Sequence, residues 1–241
     1  MNKLDDKFYE INTFCEQNAD PGIVKKYARY FTEGYDAYGI PPKIFEDQKT
    51  KWLEFWKDEL SIDDFLHLGD LLVSTGKYEL VGFAVHFIAA QKEKLTGGHL
   101  PKIGSWLENG IANWAGTDLL CSLVLSHFVA DKIVEVEAFA DWLNSPSCWK
   151  RRAVPVTMIN ALKTGTKLER LLAIINPLMM DPEKFVQKGL GWFLREAWKK
   201  FPAATEVFLL KWKDSCGRII IQYATEKMEK DKKIKFKRAK K

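Results

Sequence analysis

"MDPEKFVQKGLGWFLREAWKKFP", residues 180–202, decides the fold class. Its apolar residues Val186, Leu190, Phe193, Leu194 and Ala197 recur at steps of three and four, the period of one helical face. Asp181-Pro182 supplies an N-cap and a proline at the first helical position, and Pro202 cannot continue the ladder. The stretch predicts a helix starting at Asp181 and stopping before Pro202. At about 100° per residue the apolar stripe centres roughly 140° from Trp192, while Lys188, Arg195, Glu196 and Lys199 fall within about 60° of it. Trp192 therefore belongs to the polar, largely basic side, with Gly189 and Gly191 opening space beside it. A large aromatic among cations suits a sugar–phosphate surface. A Trp laid against a neighbouring helix accounts for the pattern equally well.

Similar punctuation recurs along the chain. "ADPGIVKKYARYF" (19–31) begins with Asp20 as N-cap and Pro21 at the first helical position, and "LSIDDFLHLGDLL" (60–72) pairs Ser61 with Asp64 in an acidic capping box. "NSPSCWKRRAVPVTMINALKTG" (144–165) reads as a helix from Ser145-Pro146 to Gly165. The best strand candidate, "RIIIQY" (218–223), runs on into helical spacing. Short helices without strand punctuation predict an all-α, right-handed solenoid of HEAT-like antiparallel helix pairs, with a compact helical bundle as the competing architecture. Residues 1–226 are expected to form a single HEAT-like repeat domain and residues 227–241 a basic C-terminal tail.

Of the 241 residues, 46% are hydrophobic, enough to bury a sizeable core. The first ten residues are charged and lack the apolar centre of a secretory leader, and no run approaches the eighteen or so apolar residues of a membrane span. Four scattered cysteines and four dispersed histidines exclude a sequence-encoded zinc motif and read as reduced thiols of a cytoplasmic protein; neither metal nor cofactor is expected. The net charge is +5, but residues 227–241 hold eight Lys and one Arg against two acids, a net +7, so the other 226 residues sum to −2. That tail is either a solvated, disordered end or an arm adding phosphate affinity without sequence preference.

Two further segments break the helical pattern. In "NWAGTDLLCSLVLSHF" (113–128), Trp114, Asp118, Cys121 and Leu125 fall on one helical face, which places a carboxylate on an apolar stripe. A buried carboxylate must be paired, wet or kept for chemistry. An interhelical ion pair, a cap for a neighbouring helix and a catalytic carboxylate beside an aromatic wall all satisfy that condition. In "CWKRRAVPVTMIN" (148–160), Lys150, Arg151 and Arg152 crowd a helix start, where cations oppose the helix dipole and call for an anion. A protein carboxylate or a DNA phosphate meets that need. Beyond Arg152 the helix is apolar nearly all round and should lie deep.

Together "ARYF…YGIPP", "NWAGTD", "CWKRRA" and "FVQKGLGWFLRE" resemble, in order and approximate spacing, the AlkD family of DNA alkylation repair glycosylases, over about residues 27–212. The resemblance implies a monomeric superhelix gripping duplex DNA that contains alkylated purines, nucleoid-associated when on DNA. It implies a sugar-binding Trp and Asp at Trp114 and Asp118, a second Trp facing the first at Trp192, a backbone-contacting Arg at Arg152 and a cleft Tyr at Tyr30. Arg151 and Lys188 join these as candidate DNA contacts. The chemistry so implied is hydrolysis of the N-glycosidic bond of positively charged N3- or N7-alkylated purines, with the base left stacked in the duplex. The family motif W-D-x-V-D is replaced here by Trp114-Ala-Gly-Thr-Asp118, which lacks the first acid. A non-catalytic HEAT-like nucleic-acid-binding protein and a protein-binding scaffold are the competing functions.

Overall fold

In the computed structural model, which describes residues 3–238, the chain is all-helical, with no strand among the described residues. It divides into two compact units, one ending at Phe128 and the other beginning at Val129. The first holds α1 (Lys3–Gln17), α2 (Pro21–Ala28), α3 (Pro42–Trp56), α4 (Ile62–Ser74), α5 (Tyr78–Ala90), α6 (Leu100–Asn109) and α7 (Trp114–Leu120). After α7 the chain passes through a π-helical turn, Cys121–Leu125, into α8 (Ser126–Ala130), which reaches the boundary. The second unit holds a 3₁₀ stretch, Val136–Asn144, then α9 (Cys148–Ala161), α10 (Leu168–Ile175), α11 (Lys184–Lys200), α12 (Pro202–Trp212), α13 (Arg218–Ala224) and α14 (Lys230–Ile234).

α5 is the spine of the first unit. Leu80, Phe83, Ala84, Val85, Phe87 and Ile88 are wholly enclosed, each worth roughly 1.5–3 kcal/mol for the larger side chains. The aromatic core is built on it: Phe45 stacks on Phe83 with centroids 4.0 Å apart, and Trp52 meets Phe83 edge-on at 5.2 Å. Trp106 of α6 lies across Gly69 of α4, where a Cβ would stand 2.5 Å from the indole, and its Nε1–H donates to Asp70 at 2.8 Å. At Gly110, which ends α6, a Cβ would stand 1.9 Å from the Val73 carbonyl oxygen.

In the second unit α11 is the centre, packed between α9 and α13. The stripe read from the sequence, Val186, Leu190, Phe193, Leu194 and Ala197, is fully buried. α9 is enclosed from Arg152 to Met158, as its all-round apolar composition requires. The capping of α2 by Asp20 and the Ser61–Asp64 box of α4 are both present. Two helix starts lie further along than the punctuation suggests. α9 is capped by Ser147, whose side chain accepts from the Lys150 N–H, and α11 begins after Glu183. Asp181 instead accepts from the Glu183 N–H and is held by Arg151. The RIIIQY segment is helical, forming most of α13, because Ile220 and the Ala224 that follows the segment are the buried i, i+4 pair against α11.

Residues 227–238 are not a free arm. Met228 and Phe236 are buried, α14 lies between them, and Lys235 is ion-paired with Glu206. Two apolar anchors within a highly charged segment, unremarkable in a composition count, are what dock it; residues 239–241 lie outside the described range. Among the described residues no helix is long and apolar enough to cross a membrane.

Candidate functional site

The first unit presents Trp114 at the head of α7. Asn113 caps that helix through its side chain, which accepts the Gly116 N–H at 2.8 Å. Gly116 is buried, and a Cβ on it would meet Ile111 at 3.1 Å and Val81 at 3.4 Å. The Gly of the altered motif therefore lets the start of α7 lie close against Ile111 in the connection from α6. Asp118 stands one turn beyond Trp114 and is half-buried. Immediately after α7 the ladder widens into the π turn, so the straight Trp114–Leu125 stripe expected from the sequence is interrupted after Leu120. Such turns shift the helical register locally and recur at functional sites.

The Trp114 ring is fixed by the connection between α2 and α3. Its Nε1–H donates to the Tyr30 carbonyl at 3.3 Å, and its face stacks on Phe31, centroids 5.4 Å apart and planes 14° from parallel. Phe31 stacks in turn on Tyr35 at 4.5 Å, which meets Tyr78 edge-on at 5.2 Å. The Tyr30 candidate is thus adjacent to Trp114 through its backbone, while its phenol receives a hydrogen bond from Arg29 at 2.8 Å.

One buried carboxylate pins this connection. Glu79, 5% exposed, accepts backbone N–H groups from Tyr38 at 2.9 Å, Gly39 at 2.7 Å and Ile40 at 3.2 Å. Gly39 has φ of +80° and lies where a Cβ would meet the Asp20 carbonyl at 2.3 Å, so only glycine fits. Burial, and then the Glu79 charge, push the Tyr35 and Tyr78 phenols above the ordinary range, so both rings stay neutral. The rings enclose a cavity of about 720 Å³ lined by Tyr27, Tyr30, Phe31, Tyr35, Tyr78 and Trp114 with Glu79 and His86 in its wall. Sequence reading did not single out Phe31, Tyr35 or Glu79. The aromatic spacing of "YARYFTEGYDAY" (27–38) was the available signal for the rings; nothing local marked Glu79.

The second unit carries the remaining candidates on α9 and α11. Trp192 is half-buried on the face of α11 opposite its apolar stripe. The two glycines flanking it do not leave open space. A Cβ on Gly191 would stand 2.5 Å from the Tyr223 Cβ and 2.9 Å from the Ile220 carbonyl, and one on Gly189 would stand 3.1 Å from the Arg152 Cγ. Their role is close approach of α13 and passage of the Arg152 side chain. Arg152 is 5% exposed and donates from Nη1 to the Phe185 carbonyl at 2.6 Å. Arg151 takes the protein carboxylate: Nε reaches Asp181 at 2.6 Å and Nη1 the Ser145 carbonyl at 2.7 Å. Its guanidinium is raised further above its ordinary range, chiefly by that hydrogen-bonded Asp181. Lys188 is half-buried, its ammonium 5.4 Å from the centroid of the Phe185 ring. Arg195 bridges Glu196 and Glu226. Among the described residues no three His, Cys, Asp or Glu side chains are placed to share a metal ion.

The fold has counterparts among solved structures. One, described as a predicted DNA alkylation repair enzyme from Enterococcus faecalis, superposes with a TM-score of 0.76 at 18% identity, covering 88% of this chain and 98% of that one. AlkD2 from Streptococcus mutans superposes with a TM-score of 0.58 at 21% identity, covering 77% and 90% of the two chains. No curated protein matches the sequence. The model of the DNA alkylation repair enzyme family matches residues 11–228, nearly the whole chain, and the chain belongs to that family.

Proposed function

We propose that the protein is a DNA glycosylase that hydrolyses the N-glycosidic bond of positively charged N3- or N7-alkylated purines in duplex DNA. The observation that carries this reading is the head of α7. There a Trp ring locked by a stack and a hydrogen bond stands one turn before a half-buried carboxylate. An alkylated purine already draws electrons from C1′. The C1′–N bond breaks with its electron pair leaving on the purine, which is thereby neutralised, and the sugar becomes oxocarbenium-like. Water adds its oxygen to C1′ and loses a proton to solvent. Asp118, as a carboxylate, stabilises the developing cation and orients that water, and the π face of Trp114 adds a cation–π contribution. A rigid ring spends no reorganisation at the moment of reaction, which gives the Phe31 stack its value.

On the second unit, half-buried Trp192 is assigned to the deoxyribose and Lys188 to the phosphates. Enclosed Arg152 is assigned to holding the start of α11 through the Phe185 carbonyl. The reaction needs only water, so no cofactor is invoked.

The test is chromatography of free 7-methylguanine released from methylated duplex DNA. Asp118→Asn is expected to lower release by about 10²–10³-fold, the usual scale for one preorganised electrostatic contact, while leaving duplex binding nearly unchanged. Undiminished release refutes the catalytic role. Duplex binding without release by the wild-type protein replaces the enzyme with a binding module, and absence of both leaves a scaffold.

A further inference from the structure

The basic C-terminal segment has no part in the chemistry above, yet the fold gives it a defined place. Lys233, Lys237 and Arg238 close over α13 and the end of α12, and with Lys213 and Arg218 they line a cavity of about 650 Å³ floored by Phe236. Among the described residues five cations line it and no carboxylate does. Lys213 is bonded at 2.7 Å to Asp214, which lies outside the lining.

Neutral carbonyl groups hold much of this arrangement. Arg238 donates to the carbonyls of Lys213 and Cys216, and Lys233 donates to the Glu226 carbonyl at 2.9 Å. The side chains of Arg218 and Lys237 make no ion pair or hydrogen bond among the described residues, and both residues are exposed. Bringing like charges together costs electrostatic energy unless an anion completes the site. Four of the lining residues (Lys233, Phe236, Lys237 and Arg238) lie past residue 228, where the match to the family ends. The other five, Lys213 and Arg218 among them, lie within the match, so the segment beyond residue 228 completes a pocket that α12 and α13 begin.

We propose that this pocket binds backbone phosphates of duplex DNA, giving the second unit a sequence-independent grip through residues other than those assigned to the lesion. The assignment to DNA rests on the reading that the protein acts on duplex DNA. The pocket's volume exceeds what one oxyanion needs and falls within the range of ordinary ligand sites, about 300–1,000 Å³.

The experiment is fluorescence anisotropy of an undamaged labelled duplex across a salt series, comparing wild type with Arg218→Gln/Lys237→Gln. Each phosphate contact contributes about 0.9 to the slope of log affinity against log salt. The double variant should therefore lose about 1.8, opening a gap of roughly 60-fold between ~1 M and ~0.1 M salt. Among the described residues the two side chains have no ion-pair or hydrogen-bond partner to lose, and an unchanged urea midpoint confirms that folding is intact. An unchanged slope overturns the proposal. So does an equal loss in Lys43→Gln, a control on the first unit whose ammonium already pairs with Asp47 at 2.9 Å.

Titration with inorganic phosphate and with a mononucleotide separates the sources of the anion. Saturable binding of either, lost in the double variant while the duplex slope stays put, assigns a free-phosphate site and overturns the duplex reading. Anionic vesicles bound by wild type and released by the variant, with the slope unmoved, overturn it likewise. Because the duplex is undamaged, a slope that responds while methylated DNA yields no free base refutes the glycosylase and leaves this pocket standing. Normal base release with an unmoved slope refutes only the pocket.

Discussion

Replacing Glu79 by Gln tests whether one buried carboxylate organises the first unit's site. The side chain is 5% exposed and accepts three backbone N–H bonds, two on Oε1 from Gly39 and Ile40 and one on Oε2 from Tyr38. Gln keeps the volume and can keep the two bonds at its carbonyl. Its amide NH₂ then faces the Tyr38 N–H, donor against donor. The loss is one charge-assisted bond plus an orphaned buried donor, about 2–4 kcal/mol. For a chain of this size each kcal/mol lowers the melting temperature by about 2–4 °C, so a drop of roughly 4–16 °C is expected. Urea melts followed by Trp fluorescence measure the stability, and hydrogen exchange at Tyr38, Gly39 and Ile40 measures the local effect. Base release should slow as well, because the connection that loosens carries Phe31 and the Tyr30 carbonyl, the two contacts that fix Trp114. Stability within about 0.5 kcal/mol of wild type, with those three amides equally protected, would refute the argument.

Gly110→Ala should be among the most damaging single substitutions in the first unit. Its φ of 174° is ordinary extended backbone, so the cost arises from the Cβ placed 1.9 Å from the Val73 carbonyl oxygen. A destabilisation of about 3 kcal/mol or more in urea melts is expected, and a near-wild-type midpoint would show that α4 and α6 part more easily than this packing implies. The His86 imidazole is held below its ordinary range, first by burial and then by Lys49. Its folded pKa therefore lies under the unfolded value of about 6.5, so the unfolded chain takes up the proton first as pH falls. The associated stability is complete above about pH 6.5 and is lost as pH drops towards the folded pKa. Melting temperatures between pH 7 and pH 5 should fall less in His86→Gln than in wild type; equal slopes would count against it.

Residues 180–202 show how far local pattern reaches. The buried stripe of α11, the polar setting of Trp192 and the stop before Pro202 are all written in a period of 3.6 and in proline's missing donor. The same logic located Asp20 and Ser61 as caps. Local pattern also kept Trp114 and Asp118 together, since four residues is one helical turn whatever surrounds it. It erred where a residue's partner lies far along the chain. Gly189 and Gly191 read as open space beside Trp192, but Arg152 and α13 occupy that space. Arg151 left its anion undetermined between phosphate and carboxylate, and Asp181, thirty positions on, supplies it. Lys-rich residues 227–241 read as a solvated end or a phosphate-binding arm, with no sign of docking, because two buried apolar side chains, Met228 and Phe236, leave no periodic trace.

What the sequence determined by itself is therefore the class of element, the buried stripe of α11, the enclosure of α9 and the family. The tertiary structure alone decided that Glu79 ties down the connection beneath Trp114, that a π turn follows Asp118 and that the C-terminal cations share one pocket. The division has one cause. Helical periodicity and capping are satisfied within a few residues, whereas a buried carboxylate, a close glycine contact or a gathering of like charges takes its energy from atoms brought together only by folding.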